Sequence, residues 1–163
     1  MISNPEIRLR PADKSDLDSI NKLIASAIMA WDLPERVKRL TTPSYFYNEL
    51  DLTHMQIMVA ENDKQQIIGV AAWEDAKLED LPESKSGLLL HGIFVAREQQ
   101  KKGIGSKLFA YAEQAAKKEN RDGLLVKAQN DAIDFFLSQG MSKLNVIDSD
   151  RDYKNRFWKS VTD

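Results

Sequence analysis

The chain has 163 residues, 42% of them apolar, with 23 basic against 25 acidic side chains and no cysteine. That length predicts one domain over residues 1–163 with a core of its own, and the apolar share excludes disorder. The near-balance of charge argues against a nucleic-acid partner and a polybasic membrane anchor; no apolar run nears the roughly 20 residues that span a bilayer, the first residues lack a secretion signal's apolar core, and the missing cysteines exclude disulfides and thiolate metal sites and fit a reducing cytoplasm.

Ile7, Leu9 and Pro11 predict a short strand ended by proline. Asp13 or Ser15 can cap a helix whose apolar positions, Leu17, Ile20, Leu23, Ile24, Ala27 and Ile28, recur in steps of three and four. Residues 31–55 carry aromatics among two prolines and read as a loop with one or two short helices. Ile57 to Ala60 and Ile67 to Trp73 predict a hairpin across Asn62-Asp63-Lys64. Residues 74–86 are acidic, polar and proline-containing, which predicts a loop.

Leu88 to Val95 is an almost continuous apolar run, as expected of a strand covered on both faces. A polar, glycine-bearing turn over Gln99 to Gly105 leads into a helix with Ile104, Leu108, Ala112 and Ala115 on one face and Phe109 and Ala116 beside it. Asn120 to Gly123 stops that helix. Leu124 to Ala128 predicts a strand and Ala132 to Ser138 a short helix ending near Gly140. Met141 to Ile147 and Arg156 to Val161 predict a last antiparallel pair, joined by the polar stretch Asp148 to Lys154. This order implies an α/β (α+β) three-layer sandwich. Its sheet is mixed, mostly antiparallel and of six to seven strands, with helices on both faces.

The chemically informative segment is 88–109, where a buried strand runs into a glycine turn that opens a helix. Backbone N–H groups at a helix start lack intrahelical partners, and the positive end of the dipole favours phosphate. Gly103 and Gly105 let the backbone curl and let a phosphate approach; Lys101 and Lys102 add positive charge. A Walker loop is excluded, because Gln100 stands where its first glycine is needed and Ser106 precedes Lys107. A dinucleotide fingerprint is excluded by Leu108 in place of its third glycine. Glycines alone leave open a turn that simply starts a helix.

The longer string Gln100-Lys101-Lys102-Gly103-Ile104-Gly105 resembles the Q/R-x-x-G-x-G/A signature of the GNAT acetyltransferase superfamily, at the expected distance after Val95. Ala128 to Met141 resembles that superfamily's second characteristic stretch through Ala128, Ala132, Phe135, Gly140 and Met141, and IRLRPADKSDL looks like its first strand and helix start. The resemblance covers most of the chain; 31–55 and 74–86 lack a counterpart. It implies an acetyl-CoA-dependent N-acetyltransferase, with the cosubstrate in a V-shaped opening between the fourth and fifth strands. Amides from Lys101, Lys102, Gly103, Ile104, Gly105 and Ser106 would hold the pyrophosphate, with Gln100 framing the turn. The backbone of Phe94 and Val95 would meet pantetheine, Asn130 would meet it from the other side, and Phe136 would lie beside it. The family's asparagine aligns with Asp131, so Asn130 takes that role from one position away.

The same resemblance implies direct attack of a primary amine, of a small molecule or a peptide, on the thioester. An alkyl ammonium near pKa ~10.4 must first lose a proton. His91 stands where the related serotonin N-acetyltransferases carry a catalytic histidine, and an ordinary imidazole with pKa ~6.5 accepts a proton near neutrality. Phe136 stands where the family often has a tyrosine that protonates the leaving thiolate, and phenylalanine has no proton to give. Tyr153, Ser138 or water are the alternatives. This departure keeps a second reading in view, a CoA-binding regulatory module.

Other candidates read as structural. His54 is structural or exposed, and two histidines without cysteine argue against a metal site. Asp148, Asp150 and Asp152 mimic the start of a calcium loop, but Tyr153 and Lys159 occupy its required glycine and twelfth positions. Trp31, Tyr45, Phe46, Tyr47 and Trp73 read as core before acceptor pocket, and Glu74, Asp75, Glu79 and Asp80 as a solvated loop before an amine attractor; Glu74 or an ordered water chain is the alternative to His91 as base. A homodimer is the commonest assembly for soluble proteins.

Overall fold

The computed structural model describes residues 6–146 and 155–162. The end of the expected strand at Ile147, the linking stretch Asp148 to Lys154 with its three aspartates, and Tyr153 lie outside the described residues. In chain order the elements are β1 (Arg8–Pro11), α1 (Leu17–Met29), α2 (Glu35–Thr41), α3 (Glu49–His54), β2 (Gln56–Glu61), β3 (Ile67–Asp75), β4 (Gly87–Val95), α4 (Ile104–Lys118), β5 (Gly123–Lys127), α5 (Ile133–Ser138), β6 (Ser142–Lys143) and β7 (Arg156–Ser160). The strands hydrogen-bond into one seven-stranded sheet in the order β1-β2-β3-β4-β5-β7-β6. β4 and β5 are parallel, with α4 as their crossover, whereas β1–β2, β5–β7 and β6–β7 are antiparallel. The chain divides into two compact units, Met1–Ala72 with Ile93–Leu108 and Trp73–Gly92 with Phe109–Asp163.

In the first unit, the predicted stripe of α1 is its core face: Ile20, Leu23, Ile24, Ala27 and Ile28 are buried. Asp13 and Asp16 form a capping box over the turn that precedes α1. Asp16 also accepts two hydrogen bonds from Arg10, at 2.8 and 2.9 Å, and Arg10 reaches Glu61 at 3.1 Å, so charged groups at the end of β2 are paired where they are buried. The segment 31–55, illegible as to length, folds as two short helices separated by a 3-10 turn over Thr42–Tyr45. It is tied to α1 twice. Asn21 clamps the backbone of Tyr47, donating to its carbonyl and accepting from its N–H, both at 2.9 Å. The buried Lys38 donates to the carbonyl of Met29 at 2.9 Å, satisfying an acceptor at the end of α1. α4 approaches β3 closely at Gly69, where an added Cβ would lie 2.9 Å from Ile104 Cγ2.

In the second unit, Leu124, Leu125 and Val126 of β5 are buried between the ladders to β4 and β7. Gly123 lets the β7 backbone close in, because a Cβ there would overlap the carbonyl oxygen of Lys159. Phe109, Phe135 and Phe136 pack ring against ring, with centroids 5.2–6.5 Å apart. Lys159 lies over the Phe109 ring, pairs with Glu113 at 3.0 Å and donates to the carbonyl of Gln139. The strand expected over Met141 to Ile147 is only Ser142–Lys143, extended by one bond from Leu144 N to the carbonyl of Arg156. β3 runs to Asp75, two residues into the segment expected to be loop.

Among the described residues, no helix is long and apolar enough to cross a membrane. Among them, no group of three histidine, cysteine or carboxylate residues is placed to hold a metal ion.

Candidate functional site

β4 is irregular in its second half. Ala76 N donates to the carbonyl of Gly87, and Ala96 N to that of Ile68. β3 covers eight steps between these two bonds and β4 covers nine, so β4 carries one extra residue, a β-bulge. His91 Nε2 lies 3.2 Å from Glu74 Oε2. In the register of the Ala76–Gly87 bond, Glu74 is diagonal to His91 on one face, so the extra residue lies beyond His91. The ladder with β5 ends at Leu90 and Val126, so β4 continues from His91 to Val95 beyond it.

In the first unit, Phe94 is buried and its ring meets two aromatics from the 31–55 segment. Trp31 stacks on it with centroids 6.4 Å apart, and Tyr45 meets it edge-on at 6.0 Å. Trp31 and Tyr45 also touch each other at 5.3 Å. Of the five aromatics considered from sequence, these two reach the β4 end, Phe46 is exposed, and Trp73 packs beside Tyr111 in the other unit. Burial raises the phenol pKa of Tyr47.

After Val95 the chain makes a 3-10 turn over Arg97–Gln99 and enters the predicted glycine turn. Gln100 Nε2 donates to the carbonyl of Val95 at 3.3 Å, which closes the turn and leaves less of Val95 for another partner. Two residues adopt left-handed backbone: Lys101 (φ 64°) and Gly103 (φ 84°). A left-handed lysine costs about 1–2 kcal/mol, so it marks a turn held in shape by its surroundings. Gly103 needs its missing Cβ for conformation, and nothing lies within 4 Å of where that Cβ would be. Gly105 sits inside the first turn of α4, where its backbone is helical. The first bond of α4 runs from Lys107 N to the carbonyl of Gly103 at 3.1 Å, so Ile104 and Gly105 precede it, with N–H groups of the kind that anions bind. Lys101, Lys102 and Lys107 are exposed, and no ion pair holds them among the described residues. Ile104 is buried and anchors the helix start on β3, and Ser106 is exposed. Exposed lysines and N–H groups ahead of the first helical bond, at the start of a 15-residue helix, are the features with which a turn of this kind can hold a phosphate.

In the second unit, His91 and Glu74 are each about one-third exposed in their side chains. The carboxylates near Glu74 in sequence are engaged elsewhere: Asp75 with Arg121 at 2.6 Å and Asp80 with Lys127 at 3.2 Å. Asn130 is exposed on a 3-10 turn after β5, and its Oδ1 accepts from Asn155 at 2.9 Å, which leaves its amide N–H groups as donors. Phe136 is 4% exposed within the phenylalanine cluster. Ser138 donates its hydroxyl to the carbonyl of Phe135. His54 ends α3.

The family model for an acetyltransferase (GNAT) domain matches residues 26–149. The chain belongs to the GNAT acetyltransferase family. No curated protein matches it. Three solved structures of this family's fold are similar to it. PaiA N-acetyltransferase from Thermoplasma acidophilum, in complex with coenzyme A, is 15% identical over 95% of this chain and 99% of its own, with TM-score 0.73. A mutant AtaT toxin, bound to the C-terminus of the antitoxin AtaR and acetyl-CoA, is 16% identical over 95% and 93%, with TM-score 0.64. A KacTA–DNA complex is 16% identical over 96% and 94%, with TM-score 0.65. At these identities the likeness shows a shared fold, here the mixed seven-stranded sheet with helices.

Three features of the site do not follow from the sequence. Glu74, the alternative base to His91, reads as loop, although β3 carries it. Trp31 and Tyr45 read as core, with no sign of their partner on β4. Lys101 gives no sign of its left-handed backbone, since the residue that betrays that conformation is glycine.

Proposed function

We propose that residues 1–163 form one acetyl-CoA-dependent N-acetyltransferase domain acting on a primary amine of a small molecule or a peptide. The observation that carries this is the turn from Gln100 to Ser106: two left-handed residues, open space at Gly103 and exposed lysines at the start of α4. Bound acetyl-CoA supplies an activated acetyl thioester. The Lys101–Ser106 backbone holds its pyrophosphate, and the β4 backbone beyond Leu90 has the unladdered edge that an amide-bearing pantetheine arm needs. His91 takes the proton from the amine nitrogen as that nitrogen bonds to the thioester carbonyl carbon and the C–S bond breaks. Phe136 has no proton to give the thiolate and the Ser138 hydroxyl is engaged, which leaves Tyr153 or water as the acid, or unassisted departure of a thiol of pKa ~8.5, a tolerable leaving group. Relatives of this fold in complexes with an antitoxin peptide and with DNA widen the partners worth testing. The chain's own lack of cysteine supports a cytoplasmic setting.

The test is thiol release from acetyl-CoA against a panel of primary amines. The chain has no cysteine, so a thiol reagent reads released CoA alone. Amine-dependent release supports the transferase. Tight CoA binding with release no faster than hydrolysis supports the regulatory module that Phe136 keeps in view, and a melting curve unmoved by acetyl-CoA refutes both.

A further inference from the structure

We propose that Glu74 is the positioning residue for His91: its carboxylate holds the imidazole with Nε2 protonated, which makes Nδ1 the atom that receives the acceptor amine's proton. This rests on the transferase reading above. An ionised carboxylate only accepts hydrogen bonds, and a neutral imidazole has one donor nitrogen and one acceptor nitrogen. Glu74 Oε2 lies 3.2 Å from Nε2, within reach of a proton carried on that nitrogen, and a ring protonated there has its lone pair on Nδ1, away from the carboxylate. Neither side chain has another polar partner among the described residues, whereas Asp75 and Asp80 are committed to Arg121 and Lys127.

Both residues stand on sheet strands, not loops, and are diagonal neighbours upstream of the bulge. Rigid elements hold a donor–acceptor pair to the tolerance that proton transfer needs. The pair is partly exposed, which leaves Nδ1 reachable by an incoming amine. During acetyl transfer the amine nitrogen gains a bond to the acetyl carbon and loses a proton to Nδ1. The imidazolium then has Glu74 beside it as counter-charge, and its proton passes to solvent as CoA leaves.

Two measurements test this. The first is the tautomer of His91, read from ring nitrogen shifts in histidine-labelled protein; there are two histidines, and His91→Ala assigns the signals. The parent should show Nε2 protonated and Nδ1 bare, and the Nδ1–H form should appear in Glu74→Gln and Glu74→Ala. A parental tautomer in both variants would overturn the proposal. The second is a double-mutant cycle with 2-phenylethylamine as probe acceptor. Glu74→Gln should lower kcat/KM roughly 10- to 100-fold, the range for residues that orient a working histidine, with the KM for acetyl-CoA unchanged. Glu74→Asp should recover part of the loss. On a His91→Ala background, Glu74→Gln should change kcat/KM less than about twofold; an equal loss in both backgrounds would mean that Glu74 does not act through His91. The tautomer needs no acceptor, so it decides on Glu74 whether or not 2-phenylethylamine is turned over, and the transferase reading stands or falls on the amine panel above.

Discussion

Gly103→Ala separates the conformational role of the turn from its role in binding. The new Cβ meets nothing within 4 Å, so packing contributes no penalty; the cost is an L residue held at φ 84°. That strain is about 1–2 kcal/mol. For a protein of this length about 1 kcal/mol moves Tm by about 2–4 °C, so the variant alone should melt about 2–8 °C lower. Binding adds a second effect. Acetyl-CoA at a hundredfold excess over its Kd stabilises the parent by about 2.7 kcal/mol. A methyl group in the turn that weakens binding about tenfold leaves about 1.4 kcal/mol at the same concentration, halving the ligand-induced shift in Tm. Gly140→Ala is the control. Gly140 has φ 89°, so it carries similar backbone strain outside the turn; its Cβ would also press on Lys159 at 3.3 Å, a cost present with and without ligand that does not alter the ligand-induced shift. Differential scanning fluorimetry with and without acetyl-CoA reads both. Equal ligand-induced shifts in parent, Gly103→Ala and Gly140→Ala would refute the assignment of the pyrophosphate to this turn.

Three further outcomes are expected. Gly123→Ala places a Cβ onto the backbone of β7 and 2.6 Å from Trp158 Cζ2; it should lose about 1–3 kcal/mol or more in urea unfolding, with a parental midpoint counting against the β5–β7 register. Arg10 holds the Asp16 carboxyl below the ordinary aspartate value of 3.8, so Asp16 contributes stability that is full above about pH 4 and is lost as pH falls through its lower folded value. Asp16→Asn should therefore flatten the acid limb of a urea-midpoint profile between about pH 2 and 5, and an unchanged limb would exclude the pair as its source. Phe136→Tyr brings a hydroxyl into a cluster where the ring is 4% exposed; an unpaired hydroxyl there should cost ~1–3 kcal/mol in the same unfolding assay, and a variant as stable as the parent would show that the hydroxyl finds a partner.

What the sequence determined by itself is what short-range physics controls. The spacing of Ile20, Leu23, Ile24, Ala27 and Ile28 specifies a one-sided helix in any context, and the structure buries those residues. The apolar run from Leu88, the glycine turn and the α4 face announce a strand, an anion-binding bend and a helix within one stretch of chain. The motif and the family follow from that stretch. Residues 31–55 stayed illegible because their stability comes from partners distant in sequence, Asn21 on Tyr47 and Lys38 on Met29, and not from a continuous apolar stripe.

The tertiary structure alone decided the rest. A bulge is a mismatch of count between two strands, nine steps against eight, and neither strand records it alone. In one unit Phe94 meets Trp31 and Tyr45, and in the other His91 has Glu74 as its diagonal neighbour; neither contact is written in the local sequence. The sequence offers Glu74 as an alternative base within a loop; only cross-strand register sets it on β3 beside the His91 imidazole. Register depends on hydrogen bonds between segments far apart in the chain, and a shift of one residue moves every side chain to the other face.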